Sequence, residues 1–234
     1  MKTIGLLGGM SWESSLEYYR IINEKTKKIL GESHSAKCLM YSFDFHEIAK
    51  LQHKGDWKQL TEEMVLQATN LKKAGADFIV ICTNTIHLIA SNIETRTGLK
   101  VLHIADATSA SIRKKGLNKI ALLGTNFTME GTFYQDILKE RYDIDVIIPQ
   151  AEDRKFIHDT IFNELVVGII NNESKKKYIK IINKLSEKGA EGVILGCTEI
   201  PLLIKQEDVS IPVFDTTKIH SEAAVRYAIG ENKF

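Results

Sequence analysis

One segment of this 234-residue chain occurs twice. Gly75–Thr85 aligns without a gap on Gly189–Glu199, 114 positions further on, each an apolar run that ends in small and polar residues. The same offset sets Thr83 opposite Cys197 and Cys82 opposite Gly196. Lys2–Gly8 likewise resembles Asn118–Gly124, and Asp106–Thr108 resembles Asp215–Thr217 with looser spacing. A repeat of this length implies two similar structural units, each with a sheet to cover.

Short apolar runs alternate with longer stretches of helical period, the pattern of βαβ units around parallel sheets. Strands are expected near 3–7, 38–43, 77–82, 100–104, 118–123, 144–148, 191–196 and 211–214. Leu16, Tyr19 and Ile22, then Leu60, Met64, Ala68 and Leu71, then Ile181, Ile182 and Leu185 fall on single helical faces that should pack on those sheets. The expected fold is α/β, with two pseudo-symmetric parallel-sheet domains. The first is 1–103 plus 213–234, closed by a C-terminal helix near Ser221–Ile229; the second is 104–212. Ligands of open α/β sheets collect outside the carboxyl ends of the strands, so Gly8–Ser11, Thr83–Thr85, Thr125–Thr128 and Cys197–Glu199 are expected to converge on a site in the cleft between the domains.

Composition narrows the partner. Thirty-one Lys and Arg against 30 Asp and Glu leave a charge of +1, which asks for neither nucleic acid nor an acidic membrane and points to a small molecule. Without a leader pattern or a long apolar run, the chain reads as soluble and cytoplasmic. The three cysteines, Cys38, Cys82 and Cys197, form no CxxC pair, and the seven histidines show no ligand spacing, so neither a disulfide framework nor a metal is assigned. Gly5, Gly8 and Gly9 lack the order of a dinucleotide-binding loop and read as a tight turn that approaches a ligand. The run Glu173–Lys177 reads as a solvated turn and helix start.

Cys197 is the best reactive residue. It follows an apolar strand and a glycine where a helix begins, a place where free N–H groups lower a thiol's pKa towards neutrality. Two such groups approaching one carbon from opposite faces suit the inversion of a stereocentre beside a carboxylate, because one removes the α-proton and the other delivers one.

Gly196-Cys197-Thr198-Glu199-Ile200-Pro201-Leu202-Leu203 resembles the second catalytic motif of the aspartate/glutamate racemase family. Thr83-Asn84-Thr85 stands where that family shows Cys-Asn-Thr, and Gly5-Leu6-Leu7-Gly8-Gly9-Met10-Ser11-Trp12 is similar to the opening of its aspartate racemase branch. The resemblance runs essentially end to end. It implies racemisation of aspartate and/or glutamate without pyridoxal phosphate or metal, by a two-base mechanism with Thr83 and Cys197 as catalytic residues, Cys197 working on the L enantiomer. It further implies that Met10, Ser11, Gln52, Asn84, Thr85, Thr125, Thr198 and Glu199 line the substrate, Glu199 also assisting proton transfer, and that the protein is a homodimer.

The departure is Thr83, whose hydroxyl is a very weak acid where relatives carry a thiol. Three accounts stay open: Thr83 relays a proton through water, Cys82 substitutes, or the enzyme works mainly from L to D. Alternation along the strand turns Cys82 away from Thr83 and into the core, which favours Thr83. His87 is a further residue that could bond the Thr83 loop, and Glu164 lies where relatives place a basic residue, which opens neutral or basic amino acids as substrates. Two rivals share the fold: a single-thiol enzyme of the malonate decarboxylase or maleate isomerase type, and a non-catalytic small-molecule binding protein.

Overall fold

The computed structural model describes residues 1–231. It divides into two compact units, Met1–Ile104 with His220 onward, and Ala105–Ile219. Each is an α/β unit around a parallel sheet, as the repeat requires. No helix among the described residues is long and apolar enough to cross a membrane.

In the first unit β1 (Ile4–Gly8), β2 (Cys38–Ser42) and β3 (Phe78–Ile81) are parallel in the order β2-β1-β3. Strands covered on both faces need continuous apolar runs, and β1 and β3 are buried throughout while the edge strand β2 is more exposed. Helix α1 (Trp12–Leu30) follows β1, then α2 (Phe45–Lys54) and α3 (Trp57–Lys73) precede β3, and α4 (Ala90–Thr97) comes after it. Leu60, Met64, Ala68 and Leu71 of α3 form one core with Leu7, Ile79, Ile81 and Ile93, as their spacing predicts.

Two expectations need correction here. On α1, Leu16 and Tyr19 are 54% and 49% exposed, and the inward face is instead Ser14, Ser15, Tyr18, Ile22 and Thr26. Serines replace apolar residues at its start because their hydroxyls bond the strand-end loops. The expected strand at 100–104 is a single bridge from Val101 to Ile79. Ile104 already begins α5 (Ile104–Lys114), where Ile104, Thr108 and Ile112 are fully buried at helical spacing.

In the second unit β4 (Lys119–Gly124) is followed by the short α6 (Asn126–Met129) and α7 (Thr132–Asp136), then β5 (Asp145–Ile147), α8 (Ala151–Asn163) and α9 (Asn172–Glu187). After β6 (Gly192–Gly196) come α10 (Ile200–Leu203), β7 (Val213–Asp215) and α11 (Thr216–Ile229). The sheet is parallel, in the order β5-β4-β6-β7. Tyr178, Ile181, Ile182 and Leu185 of α9 pack into its core with Leu123, Val193 and Leu195. The return to the first unit falls at His220 and not at 213, because Val213–Asp215 pair with β6. From there α11 is tied to the first unit by Lys2 N–H to the Ala228 carbonyl (2.8 Å) and by the Tyr18–His220 bond (2.9 Å).

Candidate active site

Both sheets have the same order at their centres. The chain leaves β1 towards one side and returns on the other as β3, and it does the same with β4 and β6, so each pair of neighbouring strand ends is a topological switch point. Met10, Ser11 and Thr83–Thr85 gather at the first of these points, Thr125 and Cys197–Glu199 at the second.

At the first, the chain turns at Gly9 with φ +83°, where any side chain would collide with the Phe43 carbonyl oxygen. Gly9 N–H donates to Ser15 Oγ (2.7 Å), and the Ser15 hydroxyl donates to the Ser11 carbonyl (3.0 Å), so α1 grips the loop that precedes it. Ser11 caps α1 through Ser14 N–H (3.4 Å). The Ser14 hydroxyl lies 3.0 Å from both the Ser11 and the Cys82 carbonyl, and so joins the loop after β1 to the end of β3. Met10, Ser11, Asn84 and Thr85 are buried, and Thr83 is only half-buried. Gln52 is buried on α2. Cys82 has no exposed surface, and burial raises its thiol far above the usual range, so Thr83 is the more accessible of the two. His87 Nδ1 lies 2.8 Å from the Thr83 carbonyl.

At the second, Gly124 and Gly196 are register partners, and a Cβ on either would press to 3.0 Å against the other strand, so glycine lets the two chain ends approach. Thr125 then caps α6 through Thr128 N–H (3.4 Å). Cys197 Sγ donates to Glu199 Oε2 (2.9 Å), and Thr198 Oγ1 donates to the same oxygen (2.8 Å). Glu199 is 4% exposed, so one buried carboxylate gathers both side chains before it.

The expected lowering of the Cys197 pKa is overturned. Burial first, and then the Glu199 carboxylate as charge and as acceptor, push the thiol well above its ordinary range; the N–H groups of Glu199 and Thr198 pull the other way without reversing this. The helix that follows has only four residues, too few to supply a strong dipole. Cys197 is therefore a thiol held beside a buried carboxylate. Cys197 packs against the apolar core of the second unit, and Ile200 N–H donates to its carbonyl (3.2 Å). Glu164 accepts from Ser174 Oγ through one oxygen (2.9 Å), and its other oxygen is buried without a bond. Burial first, with Cys197 and Glu164 nearby adding to it, raises the Tyr178 hydroxyl well above its ordinary range.

The loop-holding residues Ser14 and Ser15 were not read from the sequence. Their signal was two serines in the first turn of a helix behind a Gly-Gly turn, polar where a covered helix face should be apolar. Among the described residues, no three His, Cys, Asp or Glu side chains converge as metal ligands would.

A family model described as Asp/Glu/Hydantoin racemase matches residues 7–224. The chain is 51% identical to a candidate Asp/Glu racemase from Yersinia pestis, with a TM-score of 0.93 over 98% of this chain and 100% of that one. It is 35% identical to an aspartate racemase homologue from Pyrococcus horikoshii OT3, with a TM-score of 0.86 and the same coverage, 98% and 100%. A broad specificity amino-acid racemase from Bacillus subtilis is 23% identical over 95% of this chain and 96% of its own length. With the matched region running from β1 into α11 and the paired strand-end loops inside it, the chain belongs to the Asp/Glu/Hydantoin racemase family and is an isomerase.

Proposed function

We propose that this protein interconverts the enantiomers of an acidic amino acid, aspartate and/or glutamate, with one acid/base group from each half of the repeat, Cys197 and Thr83. The observation that carries this reading is the Cys197 thiol 2.9 Å from a buried carboxylate at a strand end, in a racemase-family chain. Glu199 accepts the thiol proton, and the thiolate then takes the α-proton of the L enantiomer. The C–H bond breaks, S–H forms, and the electron pair passes into the substrate carboxylate. A proton from Thr83 Oγ1, restored from water, closes the opposite face and leaves the D enantiomer. Met10, Ser11, Gln52, Asn84, Thr85, Thr125 and Thr198 are assigned to holding the substrate. A homodimer working without pyridoxal phosphate or metal rests on the family resemblance.

Enantiomers have equal free energies, so kcat/KM is the same in both directions whatever the bases. The asymmetry imposed by Thr83 is therefore expected in proton exchange. L substrate should exchange its α-proton readily through the thiol, whereas D substrate needs an alkoxide-like base and should exchange slowly. Thr83→Cys is expected to raise D exchange at least about tenfold, measured by loss of the α-proton signal in deuterated water. No gain would remove Thr83 from the assignment.

The test of the activity is chiral chromatography after incubation with L- and D-aspartate and L- and D-glutamate, with Cys197→Ala beside the wild type. Interconversion of at least one acidic pair by wild type alone is expected; none with either pair would overturn the acidic substrate. A second reading, favoured by the unbonded buried oxygen of Glu164, is a neutral or basic amino acid. Lysine and ornithine in the same assay separate the two.

A further inference from the structure

His87 is buried one turn beyond Thr83, 2% exposed, in a cluster of aromatic side chains within the first unit. Its ring lies edge to face against His103 (4.7 Å) and His220 (5.4 Å). A carbonyl can only accept, so the contact to Thr83 makes Nδ1 the protonated nitrogen of His87. By the same logic His220 donates from Nε2 to the Leu102 carbonyl (2.7 Å) and accepts at Nδ1 from the Tyr18 hydroxyl (2.9 Å), so both its nitrogens are engaged. His87 differs: its Nε2 lone pair is buried with no bond. A side chain wanted only for packing would not carry that penalty, since an apolar residue of similar size avoids it. Burial and the two neighbouring histidines hold His87 well below the usual imidazole range, so it is neutral and its Nδ1–H is constant through the working pH.

The Thr83 carbonyl is also the second of two held in succession. Ser14 Oγ reaches the Cys82 carbonyl (3.0 Å), and His87 Nδ1–H takes the next one (2.8 Å). The peptide that carries the Thr83 side chain is thus fixed from the α1 side and from its own following turn.

We propose that His87 is a positioning residue for Thr83: its Nδ1–H clamps the Thr83 peptide so that the hydroxyl meets the α-carbon, and Ser14 fixes the preceding peptide from the other side. This rests on the reading of Thr83 as the second acid/base group. His87 supplies no proton to the substrate, because its donor is spent on a backbone carbonyl. A weak acid tolerates misplacement least, since it has no reactivity to spare, and displacement of a reacting group by about 1 Å can cost about a hundredfold.

The test separates exchange from inversion. With L-aspartate and L-glutamate in deuterated water, deuterium entering L product reports the thiol alone, and D product reports both groups. The ratio of inversion to exchange is measured for wild type, Thr83→Ala, His87→Asn and His87→Gln. An asparagine amide nitrogen falls where Nδ1 stood and keeps the bond; a glutamine amide falls where Nε2 stood and loses it. We expect the ratio to fall at least about tenfold in His87→Gln, with L exchange little changed, and to stay near wild type in His87→Asn. A general loss of structure would lower exchange and inversion together. An unchanged ratio in His87→Gln, or equal losses in both His87 variants, overturns the proposal while a collapse in Thr83→Ala leaves the Thr83 reading standing. An unchanged ratio in Thr83→Ala overturns both.

Discussion

Cys197 keeps its proton in the resting protein because thiolate and carboxylate would otherwise meet in a buried place, 2.9 Å apart. Glu199 raises the thiol both as a charge and as an acceptor that holds its neutral form. Glu199→Gln removes the charge, so thiol alkylation by iodoacetamide should reach half its maximal rate at a lower pH than in wild type, while racemisation falls for want of the acceptor. An upward shift in that profile would contradict the assignment. The buried histidines give a second prediction. His220 is held at about 3 against an ordinary 6.5, with burial the main cause, and His87 is lowered in the same sense. Their neutral forms are the folded ones, so the stability they contribute is intact above about pH 6.5 and is lost as the pH falls, because the unfolded chain takes up protons that the folded chain refuses. His220 alone should account for about 2 kcal/mol between pH 7.5 and pH 5. Urea unfolding at the two pH values measures the drop, and His220→Gln should lessen it. At this scale the placement of Thr83, and of Cys197 and Glu199, just beyond strand ends was legible from the repeat and its spacing. The direction of the Cys197 shift was not, because it depends on where the Glu199 side chain folds back.

Helix α1 shows where periodicity misleads. Leu16, Tyr19 and Ile22 make an apolar stripe, yet only Ile22 is covered. The true inward face begins with Ser14 and Ser15, whose hydroxyls are engaged by backbone groups of Gly9, Ser11 and Cys82. A hydrophobicity pattern cannot see a covered serine that is satisfied by a loop far away in sequence. Ile22→Ala should cost about 2–5 kcal/mol, and Leu16→Ala should stay within about 0.5 kcal/mol, both read from urea midpoints. Comparable losses would restore the stripe as the buried face. The short run at 100–104 failed for a different reason: its second half already carries helical spacing through Ile104, Thr108 and Ile112. Runs with longer apolar cores, β1, β3, β4 and β6, were legible because strands covered on both faces leave little choice of residue.

The duplication accounts for the two units. The order β2-β1-β3, extended by the Val101 bridge to Ile79, matches β5-β4-β6-β7, so the lone bridge stands where the second unit has a full strand. That equivalence places Thr83 and Cys197 at corresponding strand ends, with a weak acid in one half and a thiol in the other. The proposed division of labour rests on this difference in acidity. The preferred amino acid was not legible, because no repeat or motif fixes the groups that would meet a substrate's side chain. The central claim is best tested by proton NMR in deuterated water, following the α-proton of L- and D-aspartate and of L- and D-glutamate with wild type and Cys197→Ala. The account predicts loss of the L signal with wild type alone and, in wild type, faster loss for L than for D. Exchange of the L enantiomers that survives in Cys197→Ala, or exchange that is absent for all four amino acids, would contradict it.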